Sequence, residues 1–437
     1  MSSSVPGRLE TTEAAALAAD AADPMRLLRE RFLIPRHADG SEAVYLAGHS
    51  LGVQPRATRD AVLAQLDTWA AVGVEGHFRA GSPWIEADGI MREQTARIVG
   101  ARPPEVATMN TLTVNLHLLL ASFYRPRGER TLVVIEAPTF PSDRYAIESH
   151  LRHRGLDPAA HLRVVGPRTG EGIIRDEDLE AAISEAGDRL ALTLFAGVNY
   201  ATGQALDVAR LTGAAHEVGA VAGWDMAHAA GNIPLALHDD DVDFAAWCTY
   251  KYLDGGPGSI AQIFVHQRHG SDPTVPRLSG WWGNHPDTRF RMEDTFVPGE
   301  GADGWKVSNP PILALVPVGV SLSIFDEVGM PALRARSMRL TGYFEACIAE
   351  FAPGTTVLTP SDPARRGAML SMRIPDAPRV IASLETRGIM ADFREPDIVR
   401  MAPVPMTNSF HEAWRAAQAL GMALREPRPG ASADAGR

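Results

Sequence analysis

Two possible nucleophiles stand out in the chain, and they point to different chemistry. Ser50 sits in Gly48-His49-Ser50-Leu51-Gly52, a match to the G-x-S-x-G turn that raises a serine above a sheet in serine hydrolases. Lys251 follows the apolar run of "DFAAWCTYKYLDGGPG". A charged lysine there is costly if unpaired. Burial favours the neutral amine, which can attack an aldehyde. Other polar residues end neighbouring apolar runs. "AVAGWDMAHAAG" delivers Asp225 and His228, and Tyr250 precedes the lysine. Thr113 opens the helical pattern "TVNLHLLLASFY", while Phe140, Ser142 and Asp143 follow "TLVVIEA".

Taken singly, each has a plain structural reading. Lys251 can be the solvated end of a strand, Asp225 and Thr113 helix caps, His228 a satisfied core histidine and Phe140 simple core. Together they meet four needs of one cofactor. An amine binds an aldehyde, and an acid one strand earlier keeps a pyridine nitrogen protonated. A helix N-terminus bearing a hydroxyl holds a phosphate, and an aromatic ring stacks on the pyridine. Those are the needs of pyridoxal 5'-phosphate (PLP), whose protonated ring is an electron sink.

The elements that must hold these residues read as an α/β chain. "EVATMN", "TLVVIEA", "RLALTLFAGV", "AVAGWD", "VDFAAWCTY" and "SIAQIFV" read as strands, with helices at "TVNLHLLLASFY", "DRYAIESHLRHRG" and "VARLTGAAHEVG". Short apolar runs separated by helices predict a mostly parallel sheet covered on both faces. Ligands of such sheets lie beyond the carboxyl ends of the strands, where the polar residues above fall. Upstream, "DPMRLLRERF" predicts a short helix with Asp23 as N-cap and Pro24 in its first turn. "PRATRDAVLAQLDTWAAVG" predicts an amphipathic helix with Val62, Leu66 and Trp69 on one face. From about residue 310 two long helices precede a small α+β segment, "AMLSMRIP" to "FHEAWRAAQALGMAL". The expected organisation is an N-terminal segment over 1–60 joining a small domain over 316–425, a large domain over 61–315, and a disordered tail over 426–437.

Composition narrows the classes of function. A hydrophobic share of 45% supports a sizeable core. A net charge of -11 gives no general attraction to nucleic acid or anionic lipid. Cys248 and Cys347 form no C-x-x-C pair, so a reducing cytoplasm is expected, and no apolar run is long enough to predict a membrane span. The acids of "LHDDDVDF" read as a solvated turn, and His150 and His153 as surface, so no metal site is expected.

The blocks "MNTLTVNLHLLL", "FPSDRYAIESHL", "GWDMAHAAGN", "DFAAWCTYKYL", "GWWG", "SNPPIL" and "RMAPVP" appear in this order. In them the chain, from about Tyr45 to Phe410, resembles the kynureninases, fold-type-I PLP enzymes of the aspartate aminotransferase superfamily. The resemblance implies a large mostly parallel-sheet domain plus a small C-terminal α+β domain, and a homodimer with its site at the interface. It implies that Lys251 binds the cofactor and moves protons at the substrate α-carbon, and that Asp225 pairs with the pyridine nitrogen beside His228. Leu112 and Thr113 belong at the phosphate. Phe140, Pro141, Ser142 and Asp143 line the ring. Tyr250 touches the phosphate and acts as a general acid. Trp281 and Asn309 complete the pocket, and Arg400 clamps the substrate carboxylate.

The same resemblance answers the question of Ser50. Relatives carry Gly-Asn-Ser-Leu-Gly here, so Ser50 is expected to line the site rather than to be acylated. Pro55, read as opening the next helix, lies too far on for a nucleophile elbow. His49 replaces the usual asparagine, Ala196 a hydroxyl residue near the phosphate, and Ala201 a frequent tyrosine. The implied reaction is hydrolysis of kynurenine or 3-hydroxykynurenine to alanine and the aryl acid, in tryptophan degradation and NAD precursor supply. His77, Ser308 and Asn309 match relatives that prefer the 3-hydroxylated substrate. A PLP desulfurase or aminotransferase, a kynureninase of specialised metabolism acting on a substituted 3-hydroxykynurenine, and a catalytically silent relative are the alternatives.

Overall fold

The computed structural model describes residues 9–79, 81 and 83–427. At its centre lies a seven-stranded sheet: β1 (Val106–Thr108), β2 (Leu132–Glu136), β3 (Leu162–Val165), β4 (Leu190–Ala196), β5 (Val221–Asp225), β6 (Phe244–Trp247) and β7 (Gln262–Val265). Their order in space is β1-β7-β6-β5-β4-β2-β3. β7 runs antiparallel to β1 and β6, and the remaining neighbours are parallel. Side chains alternate between faces, as a strand requires. Val133, Ile135, Leu192, Leu194 and Phe244 join one core cluster, while Val134, Ala222, Trp224, Ala245 and Trp247 join another. Both faces are therefore covered, which is why the strands read as continuous apolar runs.

Helices α1 (Leu112–Phe123) and α2 (Pro141–His153) come directly after β1 and β2, which sets their N-termini at the carboxyl ends of the strands. The edge strand β3 and the helix Asp176–Ala186 were not expected from sequence. β3 is only half-buried and so carries no apolar run. The helix does carry a signal: Asp176, Glu177 and Asp178 in its first turn, then buried Leu179, Ala182, Ile183 and Ala186 on one face.

A second core gathers the chain's two ends. Strands β8 (Thr356–Val357), β9 (Leu370–Arg373), β10 (Asp392–Arg394) and β11 (Ile398–Met401) form an antiparallel sheet ordered β8-β9-β11-β10. Leu370, Met372, Val399 and Met401 pack there with Phe344 and Leu420 from the helices Met330–Phe351 and Phe410–Arg425. The N-terminal helix Glu13–Ala22 packs into this cluster through Ala16, and Trp414 donates its indole N–H to the Thr11 carbonyl at 2.9 Å. Val44–Tyr45 pairs in parallel with Ile389–Met390.

Three local expectations need correction. Asp23 ends the helix Glu13–Ala22 and accepts the Met25 N–H at 3.1 Å, and the next element is a 3-10 turn over Arg26–Arg31. Pro55 lies in a short strand paired with Phe32–Leu33, and the helix after it spans Thr58–Val72. That helix buries none of its residues, and Leu66 and Trp69 are exposed. Among the described residues, no single helix is long and apolar enough to cross a membrane.

Candidate active site

A cavity of about 140 Å³ opens at the carboxyl ends of the central strands. It is lined by Leu112, Thr113, Phe140, Ser142, Asp143, Asp225, His228, Tyr250 and Lys251, all expected from sequence, with Thr111, Ala196, Val198 and Tyr200. Pro141 is the first residue of α2, beside this wall. The amine of Lys251 lies 5.8 Å from the centre of the Phe140 ring and 6.0 Å from that of Tyr250.

One end of the cavity suits an anion. The first turns of α1 and α2 meet through the Thr113 and Ser142 hydroxyls, 2.8 Å apart. Thr111 caps α1 without a side-chain hydrogen bond, so the first N–H groups of the helix remain available. Two helix N-termini and two hydroxyls make a phosphate cradle. Ala196, at the end of β4, adds only a methyl group to it.

A group of buried acids beside the cavity suits a cation. Asp143 is held well above the usual carboxyl range, by burial first and then by the Asp225 carboxylate. Glu136, at the end of β2, is pushed up to about 8, chiefly by burial. Among the described residues, Asp143 Oδ1 and Glu136 Oε2 are buried without a hydrogen-bond partner, and so is His228 Nδ1. Asp225 accepts the Ala227 N–H at 2.7 Å, which fixes its carboxylate at the end of β5. His228 is held well below its ordinary value, by burial first and then by Lys251, and is neutral. A protonated pyridine nitrogen would relieve this cluster of mutually repelling acids. Burial raises the Tyr250 phenol, so it stays protonated.

The chain contains only two lysines, and they differ. Lys306 is buried and ion-paired with Asp88 and, at 2.6 Å, with Asp303. Lys251 is the one beside the cavity. The donor set thus fits PLP at each of its polar ends.

Arg400, which is 1% exposed, stands behind Tyr200 and donates from Nη1 to the Tyr200 carbonyl at 2.7 Å. Its Nε and Nη2 meet Asp392 at 2.8 and 2.6 Å. Ser50 donates to Asp392 and sits 3.2 Å from Nη2, while His49 Nε2 lies 3.0 Å from Asp392. Ser50 therefore gives its proton to a carboxylate, which is not how an acyl-forming serine is activated. Asp392, Glu136 and Tyr200 were missed in the sequence. Asp392 was findable, because a tight hairpin in "DFREPDIVR" sets it opposite Arg400.

Four expected residues lie elsewhere. His77 lines a separate groove of about 380 Å³ with Trp69, Trp84 and Pro311–Leu313. Trp281 is exposed and meets Phe290 edge-on, which in turn meets Phe78 beside His77, and Ser308 and Asn309 are exposed in the loop before the helix Ile312–Val328. Two residues set aside as surface are less exposed than expected. His150 is half-buried against His117, 3.1 Å away, and Asp243 of the acidic run is buried and bonded to His216 and His269.

Comparison with known proteins decides the family. Kynureninase from Salinispora tropica is 52% identical over 416 residues, covering 93% of this chain and 96% of its own. The chain belongs to the kynureninase family. Kynureninase from Xanthomonas campestris pv. campestris (strain B100) is 50% identical over 407 residues, covering 92% and 95%. A model of the kynureninase C-terminal domain matches residues 333–420. Solved structures show the fold. C-DES with glycine covalently linked to its PLP cofactor has a TM-score of 0.75 at 16% identity, covering 90% of this chain and 98% of its own. The cysteine desulfurase CsdA from Escherichia coli has a TM-score of 0.74 at 18% identity, covering 92% and 99%. The expected fold-type-I α/β architecture is correct, and this member of the family is a PLP-dependent enzyme.

Proposed function

We propose that this enzyme hydrolyses the Cβ–Cγ bond of kynurenines, with the 3-hydroxylated substrate preferred, releasing L-alanine and the aryl acid. The observation that carries the reading is Lys251. Among the described residues it is the lysine without a carboxylate partner, and it lines a cavity together with an anion cradle and the buried acids Asp143 and Asp225. The desulfurase alternative lacks a nucleophile, since Cys248 and Cys347 are both buried.

In this reading PLP, when bound, would supply an electron sink for the α-carbon. Asp225 keeps the ring nitrogen protonated, and Phe140 packs against the ring. Lys251 would take the substrate α-proton. Water adds to the γ-carbonyl, whose oxygen receives a proton from the Tyr250 phenol. When the Cβ–Cγ bond breaks, the electron pair stays on the β-carbon and is protonated. The water's oxygen ends in the aryl carboxylate. Arg400 holds the α-carboxylate, and Ser50 lines that end.

The active unit in this reading is a cytoplasmic homodimer. Leu66, Trp69, Val74, Phe78, Trp281 and Met292 are exposed, a large apolar surface for one chain. Trp281, His77, Ser308 and Asn309 lie on or next to it. A second copy would bring them to the Lys251 cavity of its partner, where polar groups can bond the substrate phenol. The test is kcat/KM on both substrates with cofactor added, followed by aryl-amine fluorescence. A higher value for 3-hydroxykynurenine is expected; a clear preference for kynurenine refutes that part. Absence of alanine from both refutes the whole reading.

A further inference from the structure

Arg400 sits in an unusual setting for a residue that must receive an anion: one of its edges is already occupied by a carboxylate. Resting on the assignment of Arg400 to the substrate carboxylate, we propose that Asp392 is a positioning residue that fixes which edge of the guanidinium meets substrate. It does so as the acceptor at the centre of a His49–Ser50–Asp392–Arg400 cluster.

The geometry is built into the backbone. Asp392 and Arg400 are direct partners across the antiparallel β10–β11 ladder. Asp392 takes Nε and Nη2 of Arg400 at 2.8 and 2.6 Å, a side-on bidentate pair that locks the guanidinium plane. Nη1 points the other way, to the carbonyl of Tyr200, which lines the Lys251 cavity. The edge that Asp392 does not take is therefore the one on the Tyr200 side, where Nη2 also donates to Ser50 Oγ at 3.2 Å. Asp392 is fixed in turn. Ser50 donates to its Oδ2, and His49, fully buried, meets its Oδ1 at 3.0 Å. Four donors converge on two oxygens, and a strand pairing prevents the carboxylate from swinging aside.

Charge alone predicts the opposite effect. Asp392 cancels positive potential at Arg400, and the Arg394 guanidinium lies 3.5 Å from the same carboxylate. If only potential mattered, removing the acid would tighten binding of an anionic substrate. If orientation governs, removal would weaken it. An asparagine amide would face one guanidinium N–H with another donor, leaving a buried donor unmatched.

The experiment titrates holoenzyme with L-alanine and with ethylamine, which lacks the carboxylate, reading the absorption change of the bound cofactor. Asp392→Asn should weaken L-alanine binding on the order of 30-fold and leave ethylamine within about twofold. It should also raise KM for the substrate far more than it lowers kcat. His49→Leu removes a donor to Asp392 without touching Arg400, and should give a selective loss of about threefold. Unchanged or tighter L-alanine binding by Asp392→Asn, or equal weakening of both ligands, overturns the proposal. Should Asp392→Asn fail to fold, His49→Leu decides by the same criterion. Arg400→Gln is the control: if it does not separate the two ligands, the assignment of Arg400 itself is wrong.

Discussion

The Lys251 cavity and the Trp69–Trp281 face are built on opposite plans. The lining of the cavity comes from the central sheet and its helices. Its residues stand at the carboxyl ends of neighbouring strands and at two helix N-termini, and Asp143, Asp225 and His228 among them are buried. The face holds the other residues expected near substrate, yet leaves them in water beside exposed Trp69, Phe78 and Met292. A parallel sheet converges its own strand ends without help, so the cofactor half of the site stems from the fold. The residues proposed to meet substrate sit on Gly73–His77 and the 280–311 loops, where Trp281, Ser308 and Asn309 are exposed although Trp282, Trp305 and Lys306 are buried, and in the proposed dimer they meet a second surface.

The most severe way to break this comparison is at the two lysines. Lys251→Ala should bind PLP without a covalent link and lose about 10⁴-fold or more in kcat. Lys306→Arg should keep the link, read as a single borohydride-reducible site by peptide mass. A second modified lysine, or full activity in Lys251→Ala, would end the idea that the cavity does the chemistry. Next in size is the exposed face. Trp69→Asp should weaken self-association by about 30-fold or more, measured by sedimentation. Activity should fall with it while the cofactor stays bound. A fully active monomer would show that the face contributes nothing to the site.

A smaller effect separates the residues on that face by task. Asn309→Ala and His77→Ala should lower the preference for the 3-hydroxylated substrate by about tenfold, with little change on kynurenine. An equal loss on both substrates would make them structural. The contrast is sharpest if Thr113→Ala instead raises the PLP dissociation constant without altering preference.

The same division explains what could be read from the sequence. Strands buried on both faces announce themselves as apolar runs, so six of the central strands and the residues ending them were legible. β3, half-buried at the edge, was not. The helix Thr58–Val72 has an apolar stripe, but a stripe does not say what it faces. Here it faces solvent in the single chain. Asp392 was passed over although the hairpin register that sets it opposite Arg400 is legible, and Glu136 because a lone acid at a strand end looks like a solvated one. The family resemblance supplied Trp281, Ser308 and Asn309. No periodicity or local chemistry marks them, since all three are exposed loop or turn residues.

The smallest effect tests whether the cavity's electrostatics belong to one chain. Burial holds Glu136 at about 8 in the folded protein, against an ordinary value of 4.5. Below about 4.5 the folded and unfolded chains both carry the proton, and the burial of Glu136 costs nothing in charge. Between 4.5 and 8 the folded chain keeps a proton that the unfolded chain has released, so stability falls as pH rises through this window. Glu136→Gln mimics the protonated form and removes the slope. Its melting temperature relative to the parent should therefore climb by about 2 °C or more between about pH 5 and about pH 8. The same climb should appear in the Trp69→Asp background, because no group from a second chain enters it. A slope that vanishes when the dimer is broken would mean that the buried acids, too, depend on the partner.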